Sequence, residues 1–315
     1  MSKKDTKSGY RITPLRIIIL LIVLVGFYYL LPQLGDLHTT WTVLTHASLL
    51  WLLIALLVGN LTFIAAAFTQ FMAGDQTGTF LDIVFLQYAG AFVDHFLPFS
   101  LGGIDMTASY YQKFGQSRPK ALVYATIPIV FGILTTILIV LVVSPITIVQ
   151  LFHSIRNNDI TRYLSILVGV VAVITLCLLP HYAKRVRYLR GQAMESLRSI
   201  HGFQHIAKVC LGAASITITS AIVLYLSVAA IHVHAGLVAV IVLCISSSLV
   251  SNITPTPGGL GTTEAVLIFG LSHSGLDVSQ ATAATLLYRL ITFWLPMIPG
   301  AFALAQCRKR NFFNT

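Results

Sequence analysis

An all-α, polytopic helical membrane protein is the fold class this sequence predicts: six full spans plus two re-entrant helical hairpins in an inverted repeat. Three observations predict it. Hydrophobic residues make up 56% of the chain and charged residues 10%, against about 25% charged in ordinary soluble domains. The apolar runs are continuous rather than alternating, which selects a helical bundle over a closed barrel. Two further apolar regions are broken midway by proline and glycine.

The elements follow in chain order. The first apolar run, residues 15–31, comes after a basic stretch containing Lys3, Lys4, Lys7, Arg11 and Arg16. It mimics a signal peptide, but PQLGDLHTT beyond it offers no small-x-small cleavage site, so it is expected to be a retained span. Further spans are expected at 47–72, 121–150, 163–180, 208–231 and 281–305. Each has at least 17 residues, or about 25 Å of helix, close to the hydrocarbon thickness.

The broken regions are 81–112, interrupted by LPFSLGG, and 237–274, interrupted by TPTPGGLG. Their returning pieces, roughly 104–112 and 262–274, are too short to cross about 30 Å of hydrocarbon. Each region therefore reads as a hairpin that enters and leaves on one side.

Charge sets the sidedness. With the N-terminus cytoplasmic, residues 3–16, 113–120, 184–208 and 308–310 hold 17 of the 20 Lys and Arg. Outer segments hold Arg156 and Arg162, and Arg289 lies inside a span. This is the positive-inside pattern for a multi-pass protein of the cell membrane with both termini cytoplasmic. The net charge of +10 is then a membrane signature, and nucleic acid is not an expected partner. Two full crossings per hairpin would give the same parity, so charge does not fix the hairpins' depth.

The order span, span, hairpin, span occurs twice with opposite orientation. The chain is expected to be a single integral membrane domain over 1–315, with repeat one about 1–150, repeat two about 155–305 and a basic cytoplasmic loop at 181–207. LPFSLGGID (97–105) echoes TPTPGGLGTTE (254–264). Paired broken helices in inverted repeats are the architecture of many alternating-access transporters; a duplication without a transport role is the alternative. The loop 181–207 reads as a solvated face or a holder of anionic headgroups. His201, His205, His232 and His234 read as loop residues, and no metal or other cofactor is expected. The four cysteines lie in or beside apolar spans without metal-type spacing.

Proline and glycine at membrane depth free backbone groups that must be buried in protein or line a polar cavity. Pro255 and Pro257 end the entering helix of the second hairpin. Gly258, Gly259 and Gly261 let the chain turn tightly. Thr262 or Thr263 is expected to cap the next helix, whose N-terminus would be an anion site.

Glu264 and Arg289 would each cost about 3 kcal/mol alone at a helix centre, so both are expected to face the bundle and to pair. A purely structural ion pair is the alternative to a functional one. In the first hairpin, Asp94 and His95 precede the break and Asp105 follows it. Facing repeats would bring Asp94, Asp105 and Glu264 to Arg289 in one polar centre. The acids suit a cationic headgroup, Arg289 suits a phosphate, and a proton pathway through Asp94 and His95 is a rival use. No Walker loop, HExxH or GxSxG occurs, and an enzyme is not expected.

PTPGGLGTTEA (255–265), with LLYRLITFWLPMIPG (286–300) downstream, resembles the lysylphosphatidylglycerol synthase transmembrane family. This is the flippase-like domain of the bacterial multiple peptide resistance factor and its stand-alone relatives. The resemblance implies a membrane-embedded domain that moves lipids between leaflets, aminoacylated phosphatidylglycerol in the full-length relatives. Carried over by motif, Pro257, Gly258, Gly259, Gly261, Glu264 and Arg289 match. Where the family usually has Gly-Glu with a nearby Arg in the first hairpin, GGIDMTASYY has Asp105 and no Arg. The following span, with Pro128 in ATIPIVFGI, also lacks the family's Arg. No aminoacyl-transferase segment lies in this sequence, so lysyl-lipid synthesis is not expected.

The expected function is a lipid flippase or transporter, with Asp94, His95, Asp105, Pro257, Gly258, Gly259, Gly261, Glu264 and Arg289 binding the substrate and membrane phospholipids as partners. A proton-coupled transporter of a small solute, and a non-transporting partner of a separate lipid-modifying enzyme, are the alternatives. A second copy of the chain is a further candidate partner.

Overall fold

A computed structural model describes residues 37–74, 76–96, 101–155, 203–253 and 256–312. The spans expected at 15–31 and 163–180, Pro255, and nearly all of the loop 181–207 lie outside the described residues. Those described residues form helices and turns, with no strand among them. Among the described residues, four helices are long and apolar enough to cross a membrane: Leu49–Ala73, Arg118–Thr136, Gln204–Ala230 and Val278–Lys309. They fall on the four expected spans that the structure describes.

Helix α1 (Leu37–Thr45) occupies the stretch between the spans expected at 15–31 and 47–72, and packs against α9, introduced below. Helix α2 (Leu49–Ala73) runs antiparallel to α6 (Phe203–Ala230) in the most extensive contact of the fold. Their register is fixed by small and hydroxyl residues. Thr62 Oγ1 donates to Thr219 Oγ1 at 2.9 Å, and a Cβ on Gly212 would lie 2.4 Å from Thr69 Oγ1. Small residues let helices approach closely where lipid supplies no hydrophobic drive.

The first hairpin is α3 (Phe80–Asp94) and α4 (Leu101–Lys113). Thr79 caps α3 by accepting the Asp82 N–H at 3.3 Å, and Asp82 suits the positive helix end. The two helices touch where Gly90 faces Gly103: a Cβ on Gly90 would be 3.2 Å from the Gly103 Cα. At the open end Gly78 lies under Tyr110 and Phe114, so both ends of the hairpin meet.

Helix α5 (Arg118–Ile155) follows, with Pro119 in its first turn, where a missing N–H costs nothing. The second hairpin is α7 (Leu237–Ile253) and α8 (Thr262–His273). Leu243 packs over Gly270 near its open end, and Ser251 lies over Gly259 near its tip.

The last span is a composite. Helix α9 (Val278–Arg289) leads into a π-helical turn, Leu290–Trp294, and then α10 (Met297–Lys309). Asp277 precedes α9, and its N–H is accepted by Gln280 Oε1 at 3.1 Å. The π turn is closed by the Leu295 N–H donating to Leu290 O at 2.8 Å. Pro296 lies just beyond it.

The buried side chains form two cores. One gathers Leu86, Tyr110, Tyr111 and Tyr124 around the first hairpin. The other gathers Leu224, Val240, Leu267 and Leu271 around the second. The site lies where the two hairpin tips approach the last span.

Candidate functional site

The second hairpin's tip sets the geometry. After α7, Pro257–Gly259 make a single 3₁₀ turn, closed by the Gly259 N–H on Thr256 O at 3.1 Å. Gly258, Gly259 and Gly261 have φ of +57°, +65° and +84°, values that carry a steric penalty for residues with a Cβ. Space excludes a Cβ as well. At Gly258 it would lie 2.2 Å from Phe293 Cε2, and at Gly259 1.8 Å from Ser251 Oγ.

Gly261 occupies the N-cap position of α8, and the cap is not the threonine expected. Glu264, three residues on, reaches back so that Oε2 accepts the Gly261 N–H at 2.7 Å. Thr262 Oγ1 instead donates to Gly259 O at 3.1 Å. The α8 N-terminus is thus capped by the protein's own carboxylate.

The other oxygen of Glu264 makes the ion pair: Arg289 Nε to Oε1 is 2.5 Å, with side chains 8% and 17% exposed. Arg289 Nη2 also donates to Gly258 O at 3.1 Å, and its guanidinium carbon lies 4.2 Å from the Phe293 ring centre. One arginine at the last α turn before the π stretch therefore holds the carboxylate, the elbow carbonyl and an aromatic face together. Charge-assisted bonds of this kind are about twice as strong as neutral ones.

The first hairpin reaches the same place through one ring. The His95 ring lies against Phe293 with centroids 4.0 Å apart and planes tilted by 51°, so Phe293 is held between His95 and the Gly258–Arg289 elbow. Its Nδ1 bonds Ala91 O.

Asp94, beside it, does not join Arg289. Its Oδ1 accepts the Gly103 N–H at 2.9 Å, occupying the N-terminus of α4. Asp105 is exposed on the second turn of α4, outside this cluster. The structure thus brings together Gly258, Gly261, Glu264 and Arg289 directly, and His95 through Phe293, while the two aspartates of the first hairpin are placed elsewhere.

Among the described residues, six buried polar atoms in these two hairpins and the last span lack a hydrogen-bond partner: His95 Nε2, Tyr110 Oη, Thr256 Oγ1, Thr263 Oγ1, Ser272 Oγ and Thr285 Oγ1. Thr285 lies one helical turn before Arg289 and is fully buried. Buried polar groups are normally satisfied by protein or water, so these atoms mark places for water or ligand oxygens. Among the described residues, no group of three or more His, Cys, Asp and Glu side chains could hold a metal ion.

Sequence reasoning missed Phe293 and Thr285. The signal for Phe293 was its i, i+4 spacing from Arg289, which puts an aromatic face over the guanidinium on one side of a helix.

Comparison with known proteins completes the description. A family profile described as "Lysylphosphatidylglycerol synthase TM region" matches residues 16–300. Three UPF0104 membrane proteins share shorter stretches. That of Methanothermobacter thermautotrophicus is 32% identical over 80 residues, 25% of this chain and 24% of its own. That of Pyrococcus horikoshii is 34% identical over 70 residues, 22% of this chain and 21% of its own. That of Methanocaldococcus jannaschii is 42% identical over 57 residues, 18% of this chain and 24% of its own. Each match spans about a quarter of the relative's length or less.

Proposed function

Because the chain belongs to the lysylphosphatidylglycerol synthase transmembrane family, we propose that this membrane protein moves a phospholipid or another lipid-linked headgroup between leaflets, past the Glu264–Arg289 centre. The observation that carries the reading is that pair itself, buried partway along a span that Gly258 of the second hairpin and His95 of the first both approach. Ionisable groups at such depth are costly and are retained mostly for transport and signalling. A phosphate would compete with Glu264 for Arg289, and a headgroup ammonium would compete with Arg289 for Glu264. The unpartnered hydroxyls of Thr256, Thr263 and Thr285 would take up headgroup oxygens, while the acyl tails stay in the bilayer.

The hairpins are re-entrant in this reading, one from each face. Support for the sidedness, which two full crossings per hairpin would share, comes from which residues lie at one end. Asp82 pairs with Arg310, and Lys113 donates to Arg310 O at 2.6 Å, so segments expected to be cytoplasmic lie together. The Ser48 N–H donates to Ala230 O at 2.7 Å, joining two segments expected outside. Repeat symmetry has support of the same kind. The second span of each repeat is α2 or α6, and these pack on one another. The first hairpin packs on the last span of repeat two, and the second hairpin touches the last span of repeat one.

Reconstitution tests the function. In proteoliposomes the wild type should move a fluorescent or aminoacylated phospholipid, and Arg289→Ala should abolish that movement. Undiminished movement in Arg289→Ala would eliminate this site. A proton relay through Asp94 and His95 for a small solute is less favoured, because the Asp94 carboxylate is engaged at the α4 N-terminus.

A further inference from the structure

We infer that Asn60 and Tyr88 form a second polar site, facing the bilayer at mid-depth, that hydrogen-bonds an acceptor oxygen of a membrane glycerolipid. The inference deepens the lipid-path reading proposed above and rests on it for the site's place in the path, not for the binding itself.

Position is the first observation. Asn60 is the twelfth of the 25 residues of α2, so roughly 17 Å of helix precede it and roughly 20 Å follow it. That is the middle of a helix long and apolar enough to cross a membrane. Asn60 is exposed, and Leu53, Leu57, Leu61 and Ile64 around it on the same helix are 44–68% exposed. Ala55, Gly59 and Ala67 are buried against the protein instead. One amide thus stands in a field of lipid-facing leucine and isoleucine, where a polar group without partners is costly.

The hydrogen bonds are the second observation. Asn60 Nδ2 donates to Leu56 O at 2.8 Å, and Asn60 Oδ1 accepts the Tyr88 hydroxyl at 2.7 Å. A carboxamide has two N–H donors and an oxygen with two lone pairs, and a phenol oxygen can still accept after donating. One Asn60 N–H, one Asn60 lone pair and the Tyr88 oxygen therefore remain open. The pair is also held in place. The Tyr88 ring stacks on Phe63 with centroids 4.3 Å apart and planes at 15°, and its backbone oxygen lies against Gly300 of α10. A site fixed in this way loses little freedom when a ligand arrives.

The surroundings select the ligand. Both side chains are neutral, and the open N–H calls for an oxygen acceptor. Gly59, the residue before Asn60, lies against the π turn: a Cβ there would be 2.8 Å from Ile291 Cγ2. Ile291 is two residues beyond Arg289, so the pair stands on the bilayer side of the segment that carries the ion pair. A glycerolipid with its phosphate near Arg289 has its ester carbonyls a few bonds behind, toward the tails, and the Asn60 N–H would meet that part of the molecule. A second copy of the chain fits this face poorly. Helices in lipid associate through small residues that let backbones approach, and the small residues of α2 point inward while leucine and isoleucine ring the amide.

The test is lipid binding to the full chain purified in detergent, with dioleoylphosphatidylglycerol and its dialkyl ether analogue as probes. The Asn60 side-chain amide resonance should shift as lipid is added. Asn60→Leu should bind the diacyl lipid about three- to tenfold more weakly, the factor that one lost hydrogen bond gives, without a lower melting temperature, because leucine suits a lipid-facing position. Tyr88→Phe, which keeps the ring stacked on Phe63, should weaken binding in the same direction. Weaker binding of the ether analogue assigns the contact to an ester carbonyl, equal binding assigns it to a phosphate oxygen, and both keep the inference. Unchanged affinity in Asn60→Leu, or an amide resonance that lipid does not move, overturns it. Dipolar coupling between two copies spin-labelled at Leu61→Cys in nanodiscs overturns it too, by making this face an interface. Binding that needs Asn60, in a protein that moves no lipid in proteoliposomes, would remove the lipid-path reading and leave this site standing; lipid movement with unchanged affinity in Asn60→Leu would do the reverse.

Discussion

Removing the Glu264 carboxylate should cost more stability than removing both members of its pair. In Glu264→Gln the amide can still accept either the Gly261 N–H or the Arg289 Nε–H, the two bonds now made at 2.7 and 2.5 Å, but it brings no charge. Arg289 cannot shed its proton, and only 8% of its side chain is exposed. Leaving a buried charge uncompensated costs about 3–5 kcal/mol. The aromatic face of Phe293 and the Gly258 carbonyl already hold Arg289 in wild type, so they offset none of this loss, and a loss of about 3–5 kcal/mol is expected. In Glu264→Gln/Arg289→Met the uncompensated charge is gone, and stability should return to within about 1–2 kcal/mol of wild type, as replaced buried pairs do elsewhere. Lipid movement should be absent from both. Thermal unfolding in detergent, read on the two singles and the double as a cycle, measures the coupling. A double variant as unstable as Glu264→Gln would refute the charge argument, and a double variant that still moves lipid would leave the pair with a structural role only.

Three further outcomes follow from the same geometry. Gly258→Ala must hold an L-residue at positive φ and displace Phe293, at about 1–2 kcal/mol for the backbone and about 1–3 for the overpacking; a melting temperature equal to wild type would contradict this. Phe312→Ala should lose about 2 kcal/mol, because Phe312 is buried against Tyr110 and under Lys113, whereas Arg310→Ala, which breaks a half-exposed pair with Asp82, should lose less than about 1 kcal/mol. Cysteines placed at Gln76 and Gln116 should react with an impermeant reagent from one side of the membrane and a cysteine at His234 from the other; labelling of Gln76 and Gln116 from opposite sides would rule out the first hairpin as described.

Much of this was legible because lipid imposes strong patterns. Leu49–Ala73 and Gln204–Ala230 are long and apolar enough to cross a membrane, and Glu264 and Arg289 stand out in such a background by cost alone. What was not legible depended on choices among similar local options. Thr262 and Thr263 are ordinary caps, yet Gly261 at φ +84° turns the chain so that Glu264 reaches its N–H first. Asp94 and Asp105 flank the same break and look equivalent, but only Asp94 accepts from the N-terminal turn of α4. Helix α1 falls in the stretch left between the expected spans at 15–31 and 47–72. Its stability comes from contact with α9, which no local pattern announces. Phe293 reads as span filler until the π turn places it between two hairpins.

In the proposed re-entrant arrangement, the approach of both hairpins to the last span follows from length. At 1.5 Å per residue, the 15 residues of α3 reach about 22 Å from one face and the 17 of α7 about 25 Å from the other. Together these exceed the ~30 Å of hydrocarbon, so tips entering from opposite faces cannot meet end to end and must pass beside each other. Two observed contacts are of that lateral kind. His95 meets the second hairpin's elbow through Phe293 in the last span, and α10 lies along α3 with Gly300 against Tyr88 O and Phe92. A passing arrangement needs a partner helix that can face both tips at one level. A regular α-helix advances about 100° per residue, so residues four apart share nearly one face. The extra residue of a π turn shifts that register locally, which lets Arg289 face the elbow while Phe293 lies between it and His95. On this argument the π turn is a requirement of overlapping hairpins. Deleting one residue from Leu290–Trp294 should restore regular helix, separate His95 from Phe293, and abolish lipid movement while the last span still inserts.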